Sequence, residues 1–566
     1  MKKTLCLLSS FLLFTLGIMT VAGATAAQLE QDSLTTKLDK LFTEWNKPDS
    51  PGAAIAIIKD GSVVYKGGYG CANLEHNIPI TPSTVFNIAS VSKQFTAFAI
   101  AVLAQQGKLS LDDDIRKYIP EVPDFGKTIT IRHLIHHTSG LRDMGVLFHI
   151  AGWSNDDLIT NEHVLKMITR QKEMNFDPGK QYLYCGTGYT LLAEIVARVT
   201  GQSFREWTKE NIFKPLCMSN THFHDNHRMI VKNRAFGYNT DEGGSFIKSK
   251  SDDAWVGGIG LFTTVEDLAK WIQNFFDSRV GGATVIEQML RQGTLNNGKK
   301  IRYAFGLRIN KLKGLITVGH IGNAPGYKSS LIFFPELKFA VVILSNFVKF
   351  NPSFLASQVI DIYLSDQIAP QKPKPKKPER TPVKVDPAIY DAYEGKYFQP
   401  LTDLLLTITK ENKRLMVGIK NEPKLELLPE SETKFFTQNV PFQISFQRDE
   451  KGEVTHITLH QGRVGLRAKK IKPLSPEKLA EFEGDYYSDE LGTNYKIVIQ
   501  DGHLVMKHRR IDDIHLTLAK TDQFVEDSFW YGKIHFIRDK QKQVIGFKYN
   551  GKNGRARNLH FDKKKQ

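Results

Sequence analysis

At 566 residues the chain is too long for one hydrophobic core, and the length alone predicts about three or four units of ordinary domain size. Its composition, 41% hydrophobic and 24% charged, is that of a globular protein, and four cysteines are too few for a disulfide-stapled scaffold. The net charge of +16 is uneven, with +2 in residues 1–27, +4 in 28–370 and +10 in 371–566, and no nucleic-acid-binding motif accompanies it.

Met1 to Ala27 carries Lys2 and Lys3, then an apolar run from Leu5 to about Ile18, then small residues ending in Ala26-Ala27. This order reads as a cleaved secretory signal (1–27), so the mature protein is expected outside the cytoplasm, secreted or periplasmic. Cys6 sits at the start of the apolar run, badly placed for a lipid-modified cleavage site. No later stretch is long and apolar enough to span a bilayer. Removal of the leader leaves Cys71, Cys185 and Cys217, which allow at most one intramolecular disulfide.

Leu34 to Trp45 has a helical pattern, and Ala53 to Ile58 followed by Asp60-Gly61 and Val63 to Tyr65 reads as a hairpin. Next comes Phe86-Asn-Ile-Ala-Ser90-Val-Ser-Lys93, which opens an apolar segment running to Ala104. Its apolar residues are too closely set for one amphipathic face and predict a helix buried nearly all round. Ser90 and Lys93, three apart, share a face. At a helix N-terminus, orphan N–H groups and the helix dipole favour developing negative charge, which suits a nucleophilic serine. The same spacing recurs at Ser245/Lys248, Ser431/Lys434 and Ser475/Lys478, so the string needs partners to acquire meaning.

From Leu109 to about Trp271 helices and loops dominate, including Ile131 to His136 and Tyr189 to Val199. Strands return at Tyr303 to Ile309, Leu315 to Gly319, Tyr327 to Phe334 and Phe339 to Leu344, and a helix over Phe354 to Leu364 closes the unit (28–369). A sheet built from both ends, with a helical insertion, places Ser90 where a cleft forms. A Pro- and Lys-rich spacer follows (370–387), able to touch anionic envelope polymers or to remain a solvated linker. Beyond it an internal repeat begins: Tyr393-Glu-Gly395-Lys-Tyr397 recurs as Phe482-Glu-Gly484-Asp-Tyr486, and Phe446-Gln-Arg448-Asp449 recurs as Phe536-Ile-Arg538-Asp539. Each copy (388–473 and 474–566) is long enough for several alternating strands and is predicted to close into its own antiparallel barrel.

Two further stretches carry candidate chemistry. Tyr184 follows the Pro178-Gly179 turn and precedes Cys185-Gly186; a phenol near a lysine ammonium can share its proton load and act as base toward a serine. In Gly319-His320-Ile321-Gly322-Asn323-Ala324-Pro325-Gly326, between two strands, Gly322 permits close backbone approach. The Asn323 N–H could then join the Ser90 N–H as an oxyanion hole, and His320 could bind a carboxylate or tune Tyr184. His222-Phe-His224-Asp225-Asn-His227 imitates a metallo-hydrolase cluster with its Asp one place early, a slip that zinc geometry does not forgive. His133 and His136 have no third ligand and read as packing.

In this order Ser90-Val-Ser-Lys93, Ile131-Arg-His-Leu-Ile-His-His-Thr-Ser-Gly140-Leu141, Pro178-Gly179 with Tyr184, Gly257-Gly-Ile-Gly260-Leu261 with Glu266-Asp267-Leu268, and His320-Ile-Gly322 resemble the serine β-lactamase and penicillin-binding-protein superfamily, in its class C β-lactamase and D-aminopeptidase branch. The resemblance covers about residues 33–365. It implies an antiparallel sheet with flanking helices and a helical subdomain, followed by the two β-barrels. It also implies Ser90 as the acylated nucleophile, Lys93 and Tyr184 as its base system, and His320-Ile-Gly322 as the equivalent of a Lys-Thr-Gly strand. No cofactor or metal is implied. The substrate implied is a small peptide, amide, ester or β-lactam, plausibly with D-amino acids. In the related D-aminopeptidases the last barrel sends a loop toward the cleft. Two departures stand out: Gly186 replaces the Asn of the family's Tyr-x-Asn, and His320 replaces the Lys. Both weaken the antibiotic-hydrolysis reading, and the alternatives are a weak β-lactamase or a cell-wall or β-lactam receptor that does not turn over.

Overall fold

The computed structural model describes residues 33–565 except 155, 250–253, 366, 368–379, 403, 420–422, 439–441, 462–463 and 527–531. The expected leader, and the part of the Pro/Lys-rich spacer that carries most of its lysines, lie outside the described residues. The chain divides into two compact units. The first comprises Met1–Leu141, Asn155–Thr169 and Phe176–Gln371; the second comprises Arg142–Ser154, Arg170–Asn175 and Lys372–Gln566.

The first unit is built on a six-stranded antiparallel sheet. In chain order its strands are β1 (Ala53–Lys59), β2 (Ser62–Tyr69), β3 (Arg308–Leu312), β4 (Leu315–Ala324), β5 (Tyr327–Phe334) and β6 (Phe339–Ser345). They lie side by side in the order β3-β4-β5-β6-β1-β2. The first strand therefore pairs with the last, Ala53 opposite Ser345. β1 and β6 read as unbroken apolar runs because both faces of the sheet centre are covered. Ala53, Ile55 and Ile57 pack with Leu38 and Phe42 of α1 (33–42) and with Val359 and Ile360 of a helix over Pro352–Tyr363. The amphipathic helix Val265–Asp277 lies against β1 and β6.

Two strand boundaries beside the serine helix differ from the sequence reading. The strand expected from Tyr303 begins only at Arg308, because Gly306, at φ +71°, turns the backbone against the start of the serine helix. A β-carbon there would lie 2.5 Å from the Gln94 backbone nitrogen. β4 in turn runs past Gly319 to Ala324, so His320, Gly322 and Asn323 lie within a strand, and only Pro325-Gly326 remains as the turn. β3 pairs with Leu315 to Gly319 alone. From His320 onward, β4 is hydrogen-bonded within the sheet to β5 only, and this half-strand is a local sheet edge.

Residues Ala89–Ser92 form one 3₁₀ turn leading into α2 (Lys93–Gln105), which is buried all round except at Val102, Ala104 and Gln105. α2 packs on α3 (Gly186–Thr200), which Gly201 ends in the left-handed conformation.

In the second unit, both repeat copies close into eight-stranded antiparallel barrels, from Gly395–Gln399 to Val464–Lys470 and from Gly484–Ser488 to Leu559–Lys563. The copies repeat their contacts as well as their residues. The Tyr397 hydroxyl donates to the Tyr393 carbonyl and that of Tyr486 to the Phe482 carbonyl, both at 2.8 Å. Lys470 donates to Ala392 O, as Lys563 does to Glu481 O. The same unit holds the helix Met144–Ile150, whose Ile150 carbonyl accepts from Tyr495, and the fully buried Arg142, which ion-pairs with Glu490. Among the described residues Cys71, Cys185 and Cys217 are free thiols, and no helix is long and apolar enough to cross a membrane.

Candidate active site

The turn that presents Ser90 is pinned at several points. Ala89 takes φ +48°, an uncommon conformation for a residue with a side chain, and its N–H donates to Asn87 Oδ1 at 2.9 Å. The Ser92 hydroxyl donates to Ala89 O and accepts from the Leu261 N–H at 3.1 Å. The Ser329 hydroxyl of β5 donates to Ile88 O at 2.8 Å. Gly322 on β4 closes in from the same side, since a β-carbon there would lie 2.2 Å from Ile88 O and 2.1 Å from Ser329 Oγ. The close approach expected of Gly322 is thus an approach to the turn that presents Ser90. Asn323 follows at an exposed position paired with Lys328.

Lys93 is 2% exposed, and its ammonium lies 3.3 Å from Ser90 Oγ and 2.6 Å from Gly258 O. Gly258 belongs to the Gly257-Gly-Ile-Gly260 loop, which the Thr96 hydroxyl ties to α2 through Gly257 O. The Lys93 Nζ stands 4.9 Å from the centre of the Tyr184 ring and 5.5 Å from that of Tyr189. The fold therefore gathers three separate stretches of sequence into one site, Ser90 with Lys93, Tyr184, and His320, whose ring lies 6.1 Å from that of Tyr184.

His320 is buried. Its Nδ1 lies 2.6 Å from Ile321 O and its Nε2 lies 3.2 Å from the Tyr303 hydroxyl. This pattern assigns the proton to Nδ1 and makes Nε2 the acceptor from Tyr303. Burial, and next the Lys93 charge, push His320 down to about 3, so the ring is neutral. Burial, and next the neighbouring Tyr189 and Tyr184 phenols, hold Tyr303 well above the usual phenol range, which keeps it a donor. At the exposed start of β3 the Arg308 guanidinium lies 5.9 Å from the ring centres of both Tyr184 and Tyr303.

The sequence reading missed Tyr303, Arg308, the Gly258 carbonyl and His137. Two of them left a trace, Gly258 inside the string Gly257 to Leu261 and His137 inside the string from Ile131 to Leu141, where its neighbours drew the attention. Those neighbours do pack: His133 caps its helix by accepting the Thr130 N–H, and His136 sets its ring edge-on to Phe305. In the His222 stretch, His222 and His224 face each other at 3.4 Å, Asp225 pairs with Arg205, and His227 is exposed. Among the described residues no group of three or more His, Cys, Asp or Glu is set to hold a metal ion.

A sequence model described as Beta-lactamase matches residues 32–359, more than half of the chain. The chain belongs to the beta-lactamase family. A second model, a domain of unknown function designated DUF3471, matches residues 379–470 and so takes in the first barrel. Over 446 residues the chain is 29% identical to a penicillin-binding protein of Bacillus subtilis, a match covering 75% of this chain and 96% of that one. Over 454 residues it is 24% identical to a D-aminopeptidase of Brucella anthropi, covering 80% and 82% respectively. The solved structure of an octameric penicillin-binding protein homologue from Pyrococcus abyssi shares the fold with a TM-score of 0.54 at 27% identity, covering 77% of this chain and 99% of that one. The protein is a serine hydrolase of the beta-lactamase family.

Proposed function

We propose that this family member is an exported hydrolase that cleaves amide or ester bonds of small D-amino-acid-containing peptides through an acyl-enzyme on Ser90. The observation that carries the reading is the Lys93 ammonium, buried 3.3 Å from Ser90 Oγ and anchored on Gly258 O. In this reading Ser90 Oγ attacks the carbonyl carbon while its proton passes to the Lys93–Tyr184 pair, which accepts it in the state that carries one proton fewer than ammonium plus phenol. The tetrahedral oxyanion is held by the N–H groups of Ser90 and Asn323. The pair then protonates the leaving amine as the C–N bond breaks, and a water repeats the sequence to release the acid. The close approach of Gly322 on β4 to Ile88 O supports the assignment of the Asn323 N–H as the second donor.

The substrate class rests on similarity to a D-aminopeptidase and on the His320 position. Where the family's Lys would offer a charge to a substrate carboxylate, this site offers a buried neutral imidazole already engaged by Tyr303. Export rests on the leader pattern of Met1 to Ala27; N-terminal sequencing of the protein recovered outside the cytoplasm would show a start after Ala27, and an intact Met1 would contradict it.

The substrate reading is tested by turnover of D-alanyl and L-alanyl p-nitroanilides, D-alanyl esters and benzylpenicillin. Preferential turnover of the D-alanyl compounds is expected. A stable penicillin adduct on Ser90 without turnover of any amide would instead support a receptor, in keeping with Gly186 at the family's Asn position.

A further inference from the structure

His137 takes no part in the chemistry above, yet it grips both sides of Tyr184. Its carbonyl oxygen accepts the Leu183 N–H at 2.9 Å, and its side-chain Nδ1 accepts the Cys185 N–H at 3.1 Å. Its ring centre lies 4.2 Å from that of Tyr184 and 4.5 Å from that of Tyr303. The residue is 1% exposed and sits at φ +57°, a conformation in which a side chain is tolerated at a cost. Nδ1 can accept only when it carries no proton, so the ring is the neutral tautomer with its proton on Nε2. Burial, and next the charge of Lys93, hold the imidazole far below its ordinary range, which keeps that tautomer in place.

Tyr184 lies in an irregular stretch ahead of α3, with no helix or strand of its own to fix it. Two hydrogen bonds to one residue, one on each side of Tyr184, together with a ring packed against its own, define where the phenol stands relative to Lys93.

We propose that His137 is the positioning residue of Tyr184: its carbonyl and its Nδ1 clamp residues 183 and 185 so that the phenol is held beside Lys93 and Ser90. The proposal rests on the reading of Tyr184 as part of the base system for Ser90. Asparagine and glycine separate its parts, because both tolerate the left-handed backbone of residue 137. Only asparagine, through Oδ1, restores an acceptor close to the place of Nδ1.

The test is the second-order rate at which a fluorophosphonate labels Ser90, measured for wild type, His137→Gly and His137→Asn, each also in a Tyr184→Phe background. His137→Gly is expected to slow labelling about a hundredfold, the usual scale for a catalytic group displaced by about an ångström. His137→Asn is expected to recover most of that loss. In the Tyr184→Phe background neither change should slow labelling much further, because the residue acts through the phenol. Labelling of His137→Gly at the wild-type rate, or an equal loss with and without Tyr184, would overturn the proposal. Failure of the wild type to be labelled at all would instead sink the serine reading. Should His137→Gly not fold, His137→Asn in the two backgrounds and the ¹⁵N signals of His137 in the wild type decide. A neutral ring protonated on Nε2 near neutral pH is required, and an imidazolium or an Nδ1-protonated ring contradicts the clamp.

Discussion

Gly322 on β4 and Ile88, two residues before Ser90, are so close that a single added methyl group would lie 2.2 Å from the Ile88 carbonyl oxygen. The Ser329 hydroxyl, also in the way, can rotate, but the Ile88 backbone is fixed by the turn that presents Ser90. Gly322→Ala must therefore push β4 and the serine turn apart. It is expected to cost about 1–3 kcal/mol in stability, as overpacking does, and to lower kcat about a hundredfold through displacement of the proposed oxyanion donors. Urea unfolding and steady-state kinetics check both; unchanged kcat would show that β4 is not part of the site.

Tyr303 and His320 form a buried donor–acceptor pair. Tyr303→Phe leaves Nε2 of His320 without its donor, which is expected to cost about 1–3 kcal/mol while the protein still folds and Ser90 is still labelled by a fluorophosphonate. Chemical denaturation reads the loss. A neutral substitution would mean that the hydrogen bond contributes nothing in solution.

Histidines set the pH dependence of stability in the first unit. Burial holds His136, His222 and His224 down to about 4 and His320 to about 3, whereas an unfolded imidazole titrates near ~6.5. Each is thus neutral in the native state at a pH where the unfolded chain binds a proton. The unfolded state binds more protons below about pH 6.5, so the stability these groups provide is complete above that value and is lost progressively as pH falls toward about 4. Thermal melts at about pH 7.5 and about pH 5 should show the lower midpoint at the acidic value; an equal or higher midpoint there would contradict the burial of these rings.

In the second unit Arg142, fully buried, pairs with Glu490 and also donates to Gln171 Oε1 at 2.9 Å. Arg142→Met strands a buried carboxylate and is expected to cost about 3–5 kcal/mol, while Arg142→Met with Glu490→Met together recovers much of the loss. Calorimetry of the three proteins decides; a double variant as unstable as the single one would mean that neither charge matters without its partner.

What could be read from the sequence follows physical locality. The sheet was legible because β1 and β6 are short apolar runs and each strand is bounded by turn residues. The barrels were legible because Tyr397 and Tyr486, with their neighbours, recur in register. The candidate site was legible where side-chain chemistry lies in a short string, as in Ser90 to Lys93 or His320 to Gly322. The role of Gly258 was not, because its backbone carbonyl has no sequence signature. Neither was that of His137, whose clamp depends on one backbone angle and on residues some 46 to 48 positions away. The late start of β3 was hidden for a similar reason: Gly306 turns where it does because of Gln94, more than two hundred residues earlier in the chain. Arg142 and Glu490, 348 residues apart, carry no local pattern that links them.

The most direct test of acylation at Ser90 is an acid quench during turnover of a D-alanyl ester, followed by intact-mass measurement and peptide mapping. Acylation at Ser90 requires a D-alanyl mass increment on the peptide containing Ser90 in the wild type. In Ser90→Ala no increment and a loss of hydrolysis are expected. Continued hydrolysis by Ser90→Ala, or an increment that maps elsewhere, would contradict it.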